Sequence, residues 1–257
     1  MPVVERRDEG PIAILELNRP KRRNALSGQL IEELSASLES LEDDDGIHAV
    51  VLTGRGRTFC AGGDLADGLS GDGFVAAHTG RGRYAALLAA LPRLRVPVIA
   101  AVNGDALGGG LGLAAACDLV VADSEARLGT PEVKVGLFPW IILAALQRDV
   151  PRKPLLELVL TGGRWTAEEA LAHGLVNRVA PAGTALESAL EIAQVIASRS
   201  PAVLAWGKSA FYRIADQRYE DALAYMHAQL SLNLLTEDAM EGVAAFLQKR
   251  EPQWKGR

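Results

Sequence analysis

Apolar residues change their spacing about halfway along this chain, and the change predicts how it folds. Ile12 to Leu17 and Ala49 to Thr53 are short β-rich runs, as expected of buried strands. Between them Leu30, Leu34, Leu38 and Leu41 share one helical face, with Ser27 placed to cap the helix start. Pro97 to Val102 and Asp118 to Ala122 read as further strands, so the first half alternates strand and helix in α/β order. From about Pro139 onward the pattern turns helical. Thr166 with Glu169 forms a capping box, and the segments after Ala185, Pro201, Tyr219 and Glu237 have helical spacing. In the third of these, Leu223, Met226, Leu230 and Leu234 make a broad apolar stripe that must pack on something. The charged, glycine-rich stretch from Ser70 to Arg83 predicts a mobile loop or a loosely held helix start.

Two glycine turns stand out from this pattern. Gly108-Gly109-Gly110 is read as directly following the apolar run Val96 to Val102, and Cys60-Ala61-Gly62-Gly63-Asp64 follows another such run. A strand that ends in consecutive glycines before a helix lets a ligand atom approach bare backbone N–H groups at the positive end of that helix. Two such turns can share one oxyanion.

Composition narrows the function classes. The 257 residues are 49% hydrophobic, enough for one large domain or a domain with an appendage. A formal net charge of −5, with no block of five like charges, argues against a nucleic-acid partner. The two cysteines, Cys60 and Cys117, lie in no metal-ligand spacing, so neither a disulfide scaffold nor a metal site is expected. The start Met1-Pro-Val-Val-Glu-Arg-Arg has no signal-peptide core, and the longest apolar stretch, Leu107 to Ala122, is broken by glycines and Asp118. These features predict a soluble, reduced, cytoplasmic protein with no membrane partner.

Several short motifs carry no chemistry. Gly71-Asp-Gly-Phe-Val-Ala and Gly80-Arg-Gly-Arg-Tyr-Ala fit a loose dinucleotide fingerprint but follow no strand, and read as loop glycines. Gly207-Lys208-Ser209 resembles the end of a P-loop, yet Ala202 occupies the earlier glycine position and the segment reads as helix interior. The histidines His48, His78, His173 and His227 are scattered and pair with no nucleophile in sequence. Cys60 is expected to be a small buried filler.

A set of ordered motifs resembles a known family. Leu17-Asn-Arg-Pro-Lys, Asn24-Ala-Leu, Val50-Val-Leu-Thr-Gly, Phe59-Cys-Ala-Gly-Gly-Asp-Leu, Val98-Ile-Ala-Ala-Val-Asn-Gly, Ala106-Leu-Gly-Gly-Gly, Cys117-Asp-Leu-Val-Val-Ala, Pro131-Glu-Val and Gly174-Leu-Val-Asn-Arg-Val fall in the order of the crotonase superfamily, the enoyl-CoA hydratase/isomerase family. The resemblance covers essentially the whole chain. It implies an α/β spiral of ββα units over residues 1–199, and a helical region over 200–257 that forms trimers, often paired into hexamers. It further implies an acyl-CoA thioester as substrate, with coenzyme A present only as part of that substrate and no permanently bound cofactor.

The chemistry accounts for the residue types. Removing a proton beside a thioester carbonyl, or adding to its conjugated double bond, places negative charge on the carbonyl oxygen, so two backbone donors must wait for it. By resemblance these are the amides of Gly63 and Gly109. The proton shuttle implied by the Pro131-Glu-Val motif is Glu132, held by the fixed torsion of the preceding proline.

The chain departs from the hydratase pattern in two places. Family hydratases carry a second glutamate where this chain has Gly112, and glycine cannot transfer a proton. Syn addition of water is ascribed to two glutamates, so a one-carboxylate site is better matched to double-bond isomerisation. A substitute acid from the Asp64 to Asp72 stretch, or Asp105, would restore two-group chemistry. The second departure is Phe138-Pro-Trp-Ile-Ile-Leu-Ala-Ala-Leu in place of a glycine-rich segment, which makes Trp140 and Ile141 candidates to line or shorten the acyl pocket. Ordinary helix packing is the equal alternative.

For the coenzyme, the resemblance places Gly63, Asp64, Leu65 and Ala66 beside the adenine and pantetheine. Lys21, Arg22 and Arg23 lie in the loop the family uses near the nucleotide, and Phe246 with Lys249 matches a contact often supplied by a neighbouring subunit. Cationic side chains suit phosphates through charge-assisted hydrogen bonds. Three functions fit this reading: a hydratase/isomerase-type enzyme, another crotonase reaction such as thioester hydrolysis or decarboxylation, and a non-catalytic acyl-CoA-binding trimer.

Overall fold

Alternate residues of the inner strands feed two separate cores, and this arrangement positions everything else. The computed structural model describes residues 2–64 and 73–256. In chain order the elements are β1 (Val4–Glu9), β2 (Ile12–Leu17), α1 (Gly28–Glu39), β3 (Ala49–Gly54), β4 (Thr58–Cys60), α2 (Gly73–Ala90), β5 (Val98–Val102), β6 (Asp105–Leu107) and α3 (Gly109–Ala115). They continue with β7 (Leu119–Asp123), β8 (Arg127–Gly129), a 3₁₀ turn (Pro131–Val135), α4 (Trp140–Asp149), α5 (Arg152–Thr161), β9 (Arg164–Thr166), α6 (Ala167–Ala172), β10 (Arg178–Ala180), α7 (Ala185–Ala197), α8 (Pro201–Ile214), α9 (Tyr219–Asn233) and α10 (Glu237–Gln248).

Among the described residues the strands make a six-stranded sheet in the order β1-β2-β3-β5-β7-β10 and a four-stranded sheet in the order β4-β6-β8-β9. The pairs β3/β4, β5/β6 and β7/β8 each give one strand to each sheet before the chain turns back through a helix or 3₁₀ turn. This is the winding of ββα units that the resemblance implies. The larger sheet is parallel apart from its edge pair β1-β2, and such sheets are covered on both faces. Leu15, Val50, Leu52, Val98, Ala100 and Val120 face the main core, whereas Ile14, Ala49, Val51, Ile99, Ala101 and Val121 face the other way. On that second face α7 lays Ala185, Ala189 and Ala193, whose small side chains let the helix approach the sheet closely.

Local signals place the helices. Ser27 accepts a hydrogen bond from Leu30 N at the start of α1, and Thr166 with Glu169 completes both bonds of a capping box on α6. Leu30, Leu34 and Leu38 are buried on α1, while Leu41 is buried just beyond its end. The α8 helix is joined to the core by a largely shielded ion pair, Lys208 Nζ to Asp118 Oδ2 at 2.6 Å. Lys208 also donates to the carbonyls of Leu91 and Val96, and Tyr212 donates to Asp118 Oδ1 at 2.8 Å. Removing one partner of such a pair costs roughly 3–5 kcal/mol, because a buried charge is left alone. Among the described residues no helix is long and apolar enough to cross a membrane.

Two local expectations are corrected. Gly80 and Gly82 are interior residues of α2, not loop glycines. Interior glycines cost about 1 kcal/mol each relative to alanine. Burial of Tyr84, Leu87 and Leu88, spaced three and four apart, anchors the helix against that cost. Of the neighbouring glycine-rich stretch, residues 70–72 lie outside the described residues. Gly108 does not directly follow the apolar run either, because the short strand β6 intervenes. Three-residue strands such as β4, β6, β8, β9 and β10 are too short to show a period in sequence.

Candidate active site

The Gly62-Gly63 turn is held by the chain before α1. Leu26 N donates to Gly62 O at 2.8 Å, and Asp64 N donates to Leu26 O at 3.0 Å, so Leu26 pairs with Gly63 as an isolated parallel bridge. That pairing uses the groups on either side of Gly63 and leaves the Gly63 N–H directed away from Leu26. Asn24, fully buried in a left-handed conformation with φ 54°, ties the supporting loop together. Its Nδ2 donates to the carbonyls of Arg55 and Thr58, and its Oδ1 accepts from Arg19 N.

The second glycine turn meets the first. Gly108 starts α3 with φ 52° and ψ −124°, a conformation essentially confined to glycine. A β-carbon on Gly62 would lie 3.4 Å from Gly109 N, and one on Gly109 would lie 3.6 Å from Gly63 N. The two amides therefore lie close together. Neither N–H donates to an acceptor among the described residues.

Glu132 comes to the same place from the 3₁₀ turn. Its Oε1 would be 2.8 Å from a β-carbon on Gly108, so glycine there lets the carboxylate lie against the backbone. Its Oε2 is buried with no hydrogen-bond partner among the described residues. Burial raises the pKa of the Glu132 carboxyl from its ordinary value, because a buried carboxylate loses hydration that the neutral acid needs less. Burial also pushes the Cys60 thiol up to about 12, which removes it as a nucleophile.

Position 112 is closed. A β-carbon there would lie 2.2 Å from Ile142 Cγ2 and 2.8 Å from Tyr84 Oη. The close packing of α3 on α4 thus occupies the space a second glutamate would enter. Sequence reasoning missed both Ile142 and Tyr84. Only their crossing with α3 reveals them. Trp140 is 77% exposed and tilted against Phe138, with ring centroids 4.8 Å apart, while Ile141 is half-buried against the main core.

The remaining candidates are more dispersed. Asp64 is ion-paired with Arg19 at 3.0 Å, and Arg22, 60% exposed along its side chain, is 3.8 Å from the same carboxylate. Arg19 therefore braces the Gly63 turn, a role the sequence did not single out. Arg23 adopts a left-handed conformation with φ 50° and is exposed. Leu65 and Ala66, with Asp67 and Asp72, lie outside the described residues. Asp105 is 3.9 Å from Arg164. Phe246 is 82% exposed and Lys249 ends α10, which packs on α8. Among the described residues neither is joined to the glycine turns by a hydrogen bond or ion pair. Among the described residues no group of His, Cys, Asp and Glu side chains gathers as metal ligands would.

Comparison with known proteins gives matches over nearly the whole chain. Residues 7–257 match the pattern described as Enoyl-CoA hydratase/isomerase. The 2,3-dehydroadipyl-CoA hydratase of Escherichia coli (strain K12) is 40% identical over 247 residues, 96% of this chain and 96% of that protein. A crystal structure of an enoyl-CoA hydratase from Mycobacterium smegmatis superposes with a TM-score of 0.95 at 36% identity, covering 99% of each chain. Human enoyl coenzyme A hydratase domain-containing protein 3 superposes with a TM-score of 0.94 at 35% identity, over 98% of this chain and 100% of that one.

Proposed function

Because this chain belongs to the enoyl-CoA hydratase/isomerase family, we propose that it moves a double bond within an acyl-CoA thioester, with Glu132 as the proton shuttle. Glu132 takes a proton from C2 of a 3-enoyl thioester. The electron pair shifts onto the thioester oxygen, which accepts hydrogen bonds from the Gly63 and Gly109 N–H groups. Glu132 then returns the proton to C4, giving the conjugated 2-enoyl product. Losing one such backbone donor typically costs about 3 kcal/mol in barrier.

The observation that carries this reading is the pairing of an unpartnered Glu132 carboxyl oxygen with a closed position 112. A single well-placed carboxylate suffices for carbon-to-carbon transfer but not for holding and splitting water. Hydration is the second reading, favoured by the hydratase named for the Escherichia coli relative. It requires an acid from elsewhere, for which Asp105 and the 64–72 stretch are the candidates.

The coenzyme is taken to run along Gly63, Asp64, Leu65 and Ala66, with Arg22 and Arg23 near its phosphates and Trp140 and Ile141 at the acyl end. Phe246 and Lys249 serve a neighbouring copy's coenzyme, in line with their exposure on α10. Residues 200–257 then form the oligomerisation region, and 1–199 the spiral that holds the site. The α9 stripe supports a homotrimer or a dimer of trimers, since that helix buries none of its residues within the chain. Two buried, unpaired cysteines accord with a cytoplasmic setting.

The test offers the purified protein 2-enoyl-CoA and 3-enoyl-CoA in heavy water, followed by mass spectrometry and NMR. Double-bond movement with deuterium uptake and no hydration supports isomerisation. Rapid hydration overturns it in favour of the second reading. Binding without turnover of either compound points to an acyl-CoA-binding protein.

A further inference from the structure

Tyr84 reaches the centre of the site from α2. Its hydroxyl donates to the Gly109 carbonyl at 2.5 Å and would be 3.6 Å from a β-carbon on Gly109. That same point is 3.6 Å from Gly63 N. At its other side the hydroxyl would be 2.8 Å from a β-carbon on Gly112. One phenol thus spans the first turn of α3, from the residue carrying one proposed oxyanion donor to the position of the absent carboxylate.

A buried tyrosine hydroxyl usually finds some partner, so the bond alone says little. Its partner is the informative part, since holding the Gly109 carbonyl holds the residue whose N–H must face the thioester oxygen. Burial, with Cys60 and Glu132 nearby, pushes the phenol well above its ordinary range. It therefore stays protonated and remains a donor at neutral pH.

We propose that Tyr84 is a positioning residue for the thioester-oxygen site, fixing the first turn of α3 so that the Gly109 N–H keeps its aim. With Ile142 it also fills the space a second carboxylate would need, and so selects proton transfer between carbons over addition of water. The proposal rests on the oxyanion reading above.

The test is Tyr84→Phe, which removes one oxygen and keeps the ring. Two readouts go beyond stability: the separate kcat and KM for acyl-CoA turnover, and the ultraviolet absorbance of bound 3-oxoacyl-CoA, which reports how far the site stabilises an enolate. Tyr84→Phe is expected to lower kcat about 10- to 100-fold, with KM within about threefold of wild type, and to diminish the enolate band. Wild-type kcat and enolate absorbance in the variant would overturn the proposal while leaving the oxyanion reading intact. Should wild-type protein produce neither turnover nor an enolate band, both fall together. If Tyr84→Phe fails to fold, 3-fluorotyrosine placed at position 84 keeps the ring and makes the hydroxyl a stronger donor. It is expected to change the enolate fraction, and an unchanged fraction overturns the proposal.

Discussion

The Glu132 carboxylate occupies the space of the side chain that Gly108 lacks, with Oε1 2.8 Å from where its β-carbon would be. Gly108→Ala is therefore expected to displace either Glu132 or the first turn of α3, and to strain a backbone with φ 52° and ψ −124°. The expected loss is about 1–3 kcal/mol of stability and more than tenfold in turnover. Chemical denaturation and an isomerisation assay measure the two effects. Full turnover in the alanine variant would mean that this contact does not position the carboxylate.

Glu132→Gln is expected to lower turnover by roughly 10² to 10⁴ while coenzyme affinity stays nearly unchanged. Its pH signature has a definite sign. Burial raises the folded-state pKa of Glu132, so the folded chain binds this proton more tightly than the unfolded chain. The resulting stability is present below the unfolded value and is lost as pH rises through the raised folded value. Turnover needs the ionised base and climbs across the same interval. Thermal unfolding and kcat/KM profiles over about pH 4 to 8 should show both trends in wild type, and Glu132→Gln should lose its share of the stability trend.

Gly112→Glu is not expected to restore a two-carboxylate site by itself, because its β-carbon would collide with Ile142 Cγ2 at 2.2 Å. The cost is about 1–3 kcal/mol from overpacking. Ile142→Ala leaves a cavity when made alone, yet it makes room when combined with Gly112→Glu. The double variant should be more stable than the sum of the single changes by about 0.5–3 kcal/mol. Strict additivity in urea denaturation would show that residues 112 and 142 do not compete for space.

On α9, Leu230 is 58% exposed in the single chain, alongside Leu223, Met226 and Leu234. Leu230→Glu places a charge in this stripe and should weaken self-association by at least about tenfold. Sedimentation velocity at micromolar concentration would show smaller species than wild type. An unchanged distribution would remove this stripe from the interface.

Much of the architecture was legible because its signals are local. The runs at Ile12 to Leu17 and Val98 to Val102, the Ser27 cap and the Thr166-Glu169 capping box depend on residues within a few positions of one another. Gly63, Gly109 and Glu132 are marked as candidates only by the resemblance of the ordered motifs to the family. No period can be read over a three-residue strand, and the glycines of α2 mask the helical spacing of Tyr84, Leu87 and Leu88.

What one chain position does for another across the fold was decided only by tertiary packing. The sequence showed that Gly112 carries no carboxylate, but not that Ile142 and Tyr84 fill its place. It marked Arg22 and Arg23 as cations, but not that Arg19 braces Asp64 beside the Gly63 turn. These pairings join helices and loops far apart along the chain. Side-chain periodicity determines which face of an element is apolar, whereas the crossing of two elements determines which atoms meet.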